Sequence, residues 1–156
     1  ALDLLMFDTS NVTVMGRMFQ NCSSLTLLDL SSFNTTKLTD IGAMFTNCYN
    51  LKSVDLSSFD TSNVTSFWEA FFNCKSLIKL DLSNFDTSKV TGTNLMFASS
   101  SVKYIDLRNA DFSNVTDYTN MFKGISKSTI IYLKDTTGNR NFMNTNFNNI
   151  TATYIS

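Results

Sequence analysis

Leu2-Asp3-Leu4-Leu5-Met6-Phe7-Asp8-Thr9-Ser10-Asn11-Val12-Thr13 is the stretch that decides the fold, because it keeps returning. Its opening triplet comes back as Leu28-Asp29-Leu30, Val54-Asp55-Leu56, Leu80-Asp81-Leu82 and Ile105-Asp106-Leu107, with a degenerate sixth copy at Ile131-Tyr132-Leu133. The second half returns as Phe33-Asn34-Thr35-Thr36-Lys37-Leu38-Thr39 and again over 59–65 and 85–91. A fifth copy over 110–116 loses the Phe but keeps Asp111 and Val115-Thr116. A third marker, Phe19, Phe45, Phe71, Phe97, Phe122 and Phe147, recurs every 25 or 26 residues. Three independent columns at one period mean internal repetition. A unit this short cannot close a core alone, so successive units must stack into a solenoid.

Within each unit, Leu25-x-x-Leu28-x-Leu30 alternates as a half-buried strand does, with Asp29 facing out. Ser10, Thr36, Ser62, Ser88 and Ser113 precede Asn-Val-Thr-like runs and read as N-caps of a short helix. That helix would place Val12, Met15, Met18 and Phe19 on one face. Asn21, Asn47 and Asn73 then suit the left-handed conformation that ends a helix. The expected fold is therefore an α/β, leucine-rich-repeat-like solenoid of about six rungs, with a parallel sheet on one face and helices on the other.

Residues 1–133 form the repeat array in this reading. Beyond them, 134–156 keep Phe147 but lose the Phe-Asp-Thr-Ser motif and become rich in Asn, as a C-terminal cap or a junction would. The chain opens in mid-pattern without Met and reads as a piece of a longer protein. Its first rung has no cap, so it should either continue into preceding residues or self-associate end to end with another copy.

Leu25-x-x-Leu28-x-Leu30 resembles the strand half of a leucine-rich repeat. The whole unit, Leu-Asp-Leu-Ser-x-Phe-Asp-Thr-Ser-Asn-Val-Thr-x-Met-x-x-Met-Phe-x-Asn-Cys, is similar to the 26-residue repeat of bacterial surface proteins and lipoproteins, a BspA-like relative of leucine-rich repeats. The resemblance runs from residue 2 to about 133. It departs from ordinary leucine-rich repeats where Phe33, Phe59 and Phe85 stand at the usual ladder-Asn position, which points to a phenylalanine stack instead. What the resemblance implies is an extracellular, surface-attached protein of bacteria, or of protists with similar genes, engaged in adhesion or host contact.

Composition narrows the chemistry. Charged residues make up 16% of the chain, against roughly 25% in an average globular protein, and 20 Ser, 20 Thr and 18 Asn fill the shortfall. With no His, neither a Ser-His-Asp nor a Cys-His site can exist, nor a histidine-ligated metal. A balance of 12 Lys+Arg against 13 Asp+Glu lacks the basic excess of a nucleic-acid reader. No run approaches the roughly 18 apolar residues of a transmembrane helix. Nor do paired acids or a nucleophile with its base stand outside the repeat. The expected protein is not an enzyme and uses no cofactor or metal.

The columns divide between core and surface. Phe7, Phe33, Phe59, Phe85 and the Phe19 column are core, with Met18, Met44, Met96 and Met121 filling gaps beside them. Cys22, Cys48 and Cys74 share a column continued by Ser100 and Gly124, so the site asks for a small residue rather than sulfur chemistry. Asp8, Asn34, Asp60, Asp86 and Asp111 suit Asx-turns. Asp3, Asp29, Asp55, Asp81 and Asp106 should point outward side by side, which is unfavourable without compensation from Ser31, Ser57, Ser83, Lys79 or Arg108. That stripe could face a partner or hold Ca²⁺ weakly through oxygen ligands.

Sheet-face residues that vary inside a strict repeat are not dictated by the fold. The end richest in interface-forming types is the C-terminal one, where Lys79, Tyr104, Arg108 and Tyr132 converge near Asp81 and Asp106 of the repeated Asp column. This cluster is the candidate site for a protein ligand, and the setting the resemblance implies makes that ligand a host extracellular protein. The alternative is a passive structural spacer of a larger surface protein.

Overall fold

A computed structural model describes residues 2, 4–147 and 149–156. The chain winds as a parallel β-solenoid of about five turns. Its strands are β1 (Leu27–Asp29), β2 (Ser53–Asp55), β3 (Lys79–Asp81), β4 (Tyr104–Leu107), β5 (Ile130–Lys134) and β6 (Thr151–Ile155), and one helix, α1 (Thr137–Asn146), lies between the last two. β1 and β2 pair in one sheet and β3-β4-β5-β6 in another, every pairing parallel. Leu28 and Leu80 point inward and are buried, while Asp29 and Asp81 point out, as the alternation requires.

Two expectations about the rungs change. The first Leu-Asp-Leu run forms no strand at Leu2 or Leu4, and Asp3 lies outside the described residues. The sixth strand is β6, which pairs with β5 from Ile130↔Thr151 to Lys134↔Ile155 without carrying the repeat motif.

The expected helices are replaced by a ribbon of turns. Between Met15 and Cys22 the amides of Met18, Gln20 and Cys22 donate to the carbonyls three residues back, at 3.2, 3.0 and 3.1 Å. The intervening amides of Arg17, Phe19 and Asn21 donate instead to Gly42, Met44 and Thr46 of the next rung, at 2.9, 3.0 and 2.8 Å. Positive φ falls on every fourth residue: Arg17 and Asn21, Ala43 and Asn47, Glu69 and Asn73, Leu95 and Ser99. A right-handed helix cannot contain such residues. The four-residue repeat of these turns brings Met15 and Phe19 to one side, so it imitates the i, i+4 spacing of a helix. The asparagines do adopt the left-handed conformation, at φ 61° to 63°, but inside the ribbon rather than at a helix end.

Asx-turns form where expected. The amides of Ser10, Thr36, Ser62, Ser88 and Ser113 donate to the side chains of Asp8, Asn34, Asp60, Asp86 and Asp111 at 2.8 to 3.2 Å. They lead into turns, so Ser10 and its counterparts cap no helix. The threonine between the first four of these pairs is buried and joins the rungs, and Phe112 takes its place in the fifth. Thr61 Oγ1 donates to the Asp86 carbonyl at 2.9 Å and accepts from the Asp86 amide at 2.8 Å. Thr9, Thr35 and Thr87 make the same pair of bonds to Asn34, Asp60 and Asp111.

The core is a column of phenylalanines. Phe19, Phe45, Phe71, Phe97 and Phe122 stack with ring centroids 5.4 to 5.9 Å apart and planes within 16°. Burial of each contributes about 1.5 to 3 kcal/mol by transfer. The continuous stack therefore follows this column rather than Phe33, Phe59 and Phe85, which are buried but interrupted by Phe67 packing on Phe85 at 5.6 Å. An asparagine ladder exists after all, on the turn ribbon: Asn47 Nδ2 donates to Asn21 Oδ1 at 2.8 Å and Asn73 Nδ2 to Asn47 Oδ1 at 2.9 Å.

At the C-terminal end α1 covers the last core layer. Thr136 caps it by accepting from the Asn139 amide at 3.0 Å. Phe142 stacks on Phe112 at 5.1 Å, and Phe147 meets Phe122 edge-on at 4.8 Å. Buried Asn139 accepts from the Phe112 amide and donates to the carbonyls of Ala110 and Lys134, ending the threonine ladder with an amide.

Candidate functional site

Strand alternation brings the variable side chains to one outer face. β3 and β4 pair Lys79 with Tyr104 and Asp81 with Asp106, and β4 and β5 pair Asp106 with Tyr132. Lys79, Tyr104, Asp106, Arg108 and Tyr132 line one groove of about 390 Å³, floored by Leu80. Asp81 is the exception. It faces a separate depression of about 320 Å³ with Asp55, Ser57 and Asn84, where β2 and β3 lie side by side without pairing.

The outward carboxylates are in register, Asp29 opposite Asp55 and Asp81 opposite Asp106, the arrangement in which like charges on neighbouring strands are unfavourable. Local donors offset them. The amides of Ser31, Ser57 and Ser83 each donate to the Asp two residues back, at 2.9 to 3.0 Å. The Ser31 hydroxyl and amide hold the Asp29 carboxyl below its ordinary value, and Ser83 does the same for Asp81.

Arg108 treats Asp106 differently. Its amide and Nε donate to Asp106 Oδ1 at 3.1 and 3.0 Å, and its Nη2 closes a bidentate pair on Oδ2. Asp106 is 9% exposed, so its acceptor capacity is largely spent within the chain. Lys79 makes no ion pair among the described residues. Tyr104 is 44% exposed, a large aromatic surface held on a rigid strand.

No three acidic or thiol side chains among the described residues are placed to hold a metal ion. Cys22, Cys48 and Cys74 are free thiols. The last two are buried and donate to the Phe19 and Phe45 carbonyls at 3.1 and 3.3 Å. Burial pushes the Cys48 thiol up to about 11 and Cys74 to about 12, with each neighbouring thiol adding to the rise. No described helix is long and apolar enough to cross a membrane.

Two features escaped the sequence reading. Trp68 lies over Gly42, with the Arg17 guanidinium 5.1 Å from its ring centroid, on the turn-ribbon side. Phe122, Lys123, Lys127, Phe147 and Ile150 line a depression of about 430 Å³ beside the cap. The only sequence signal for the first was a Trp standing where the preceding repeats have Gly16 and Gly42.

In comparisons with known proteins, a family described as Mycoplasma protein of unknown function, DUF285, matches residues 2–75 and 27–134. No curated protein and no solved structure matches.

Proposed function

This chain belongs to the family described as Mycoplasma protein of unknown function, DUF285, and from that footing we propose that it is a non-catalytic cell-surface module that binds a protein ligand on the sheet face. The observation that carries the reading is the groove itself: five of the six residues singled out in the sequence line one concave surface. Two tyrosines on paired strands and an arginine in the turn directly after β4 are the side-chain types that dominate binding energy at protein interfaces. Stacked strands hold them rigidly, so little entropy is lost on binding. The repeat unit's resemblance to bacterial surface proteins and lipoproteins, with which the family match is compatible, supports an extracellular setting for adhesion or host contact. A spacer role is favoured by one observation, the uniform row Ser31, Ser57 and Ser83, and it leaves the tyrosines without a purpose.

The test is an array of purified host extracellular proteins probed with the chain and with its Tyr104→Ala/Arg108→Ala variant. Binding of at least one protein, weakened tenfold or more in the variant, is expected. Partners that bind the variant equally well would overturn the site. Surface labelling of intact cells, with no signal from the chain, would overturn the location.

A further inference from the structure

The groove has a chemical polarity that names what it takes. Its acceptors are committed: Asp106 is occupied by the Arg108 amide, Nε and Nη2. Its donors are not. Lys79 Nζ and the hydroxyls of Tyr104 and Tyr132 have no hydrogen-bond partner among the described residues, and Arg108 keeps Nη1 uncommitted. Pairing with Asp106 fixes the guanidinium plane, so its remaining donors are already aimed. A ligand that satisfies this surface must bring acceptors, and Asp81 in the neighbouring depression, on which Lys79 and Arg108 both act, limits the negative charge it can bring to a single carboxylate.

The charge along the face sets the extent of that ligand. Lys79, Arg108 and Lys134 lie on the C-terminal half, with Lys134 ending β5, whereas Asp29 and Asp55 on β1 and β2 have no cation beside them in their rows. Asp55 stands two strands from Tyr104, about 10 Å at ordinary strand spacing. A polyanion laid across the sheet would run from the cations onto these carboxylates within about three residues of extended chain. A single carboxylate would not.

We propose that the groove between Lys79, Tyr104, Arg108 and Tyr132 receives one aspartate or glutamate side chain from an extended segment of the partner protein. The carboxylate accepts from Lys79 Nζ, Arg108 Nη1 and the tyrosine hydroxyls, while the segment's aliphatic carbons lie against the Tyr104 ring. This inference rests on the sheet-face reading above and sharpens it to a partner chemistry.

The experiment is an NMR titration of the isotope-labelled chain with acetyl-Gly-Glu-Gly-amide, acetyl-Gly-Gln-Gly-amide and inorganic sulfate. Shifts at Tyr104, Arg108 and Tyr132 with at least tenfold tighter binding of the Glu peptide than the Gln peptide are expected, together with loss of that preference in Lys79→Met. An equal response to the two peptides, including none, would overturn the carboxylate assignment. So would sulfate binding as tightly as the Glu peptide, which marks a general anion site. If the protein array yields a partner sensitive to Tyr104→Ala and the peptides show no preference, the carboxylate assignment alone fails. If no partner depends on Tyr104 or Arg108, the sheet-face site itself fails.

Discussion

The Thr61 hydroxyl holds the Asp86 backbone on both sides of its Cα, donating to its carbonyl and accepting from its amide at 2.9 and 2.8 Å. One side chain thus does between rungs what a strand does in a sheet, and it does so at 1% exposure. Thr61→Val keeps the shape and strips both bonds, leaving a buried amide and carbonyl unpaired, at a cost of about 2 to 4 kcal/mol. Thr61→Ser keeps the hydroxyl and loses one methyl, about 1 kcal/mol. Urea unfolding followed by circular dichroism measures both, and equal losses in the two variants would contradict the ladder.

Trp68 requires a residue without a side chain beneath it. A Cβ at Gly42 would lie 2.0 Å from Trp68 Nε1, so Gly42→Ala must displace the indole and break its contact with Arg17. The expected loss is about 1 to 3 kcal/mol. Because Trp68 is the single tryptophan, its fluorescence reports the displacement directly as a red shift. Asn94 stands at the equivalent place one repeat later, so Trp68→Asn should relieve the clash and make Gly42→Ala nearly neutral.

Thiol chemistry should separate the three cysteines. Cys48 and Cys74 are fully buried with raised pKa values, whereas Cys22 is partly exposed. Native-state labelling at pH 8 should modify Cys22 and leave the other two until the chain unfolds. In the unfolded chain these thiols ionise near 9.0, and in the folded one near 11 and 12. Their contribution is therefore complete below pH 9 and declines as the pH rises toward 11. A stability profile that is flat from pH 8 to 11 would contradict their burial.

Acid acts through the Asx-turns. The Ser62 hydroxyl and amide hold Asp60, and the Ser88 amide and hydroxyl hold Asp86, below the ordinary value of 3.8. Depressed folded-state values give stability that is present above that range and lost as the pH falls through it and below. Asn34 already makes the same turn without a charge. Asp60→Asn with Asp86→Asn should accordingly fold and show a shallower loss of stability below pH 4 in acid titration monitored by circular dichroism.

Exposed apolar side chains gather at the first rung: Met6 is 93% exposed, Phe7 and Val14 57% and Met18 42%. One repeat later Phe33 and Met44 are at 2% and 0% because a neighbouring rung covers them. The 156-residue chain should therefore self-associate with increasing concentration. Met6→Lys with Phe7→Lys should shift sedimentation velocity toward monomer. A wild-type chain that stays monomeric at its highest soluble concentration would contradict this.

Much of the candidate site could be read from residue numbers. Strand parity places Lys79, Tyr104, Asp106 and Tyr132 on one face, Arg108 follows β4 by one residue, and the 25 or 26-residue period sets them side by side. Asp81 could not be assigned this way, because which depression a side chain enters depends on the gap between β2 and β3. The commitment of Asp106 to Arg108 likewise depends on side-chain geometry rather than on spacing.

By itself the sequence determined the period, the stacking of rungs, the outward strand residues, the Asx-turns and the phenylalanine core. Each follows from a pattern that repeats along the chain and leaves the local backbone one favourable solution. Tertiary structure alone decided that Met15 to Cys22 and its counterparts are turns and not helices. A spacing of four residues between apolar side chains suits both, and only the next rung's carbonyls, waiting at 2.8 to 3.0 Å for the amides of Arg17, Phe19 and Asn21, tip the balance. Those partners are 25 residues away in sequence, where no local propensity can see them.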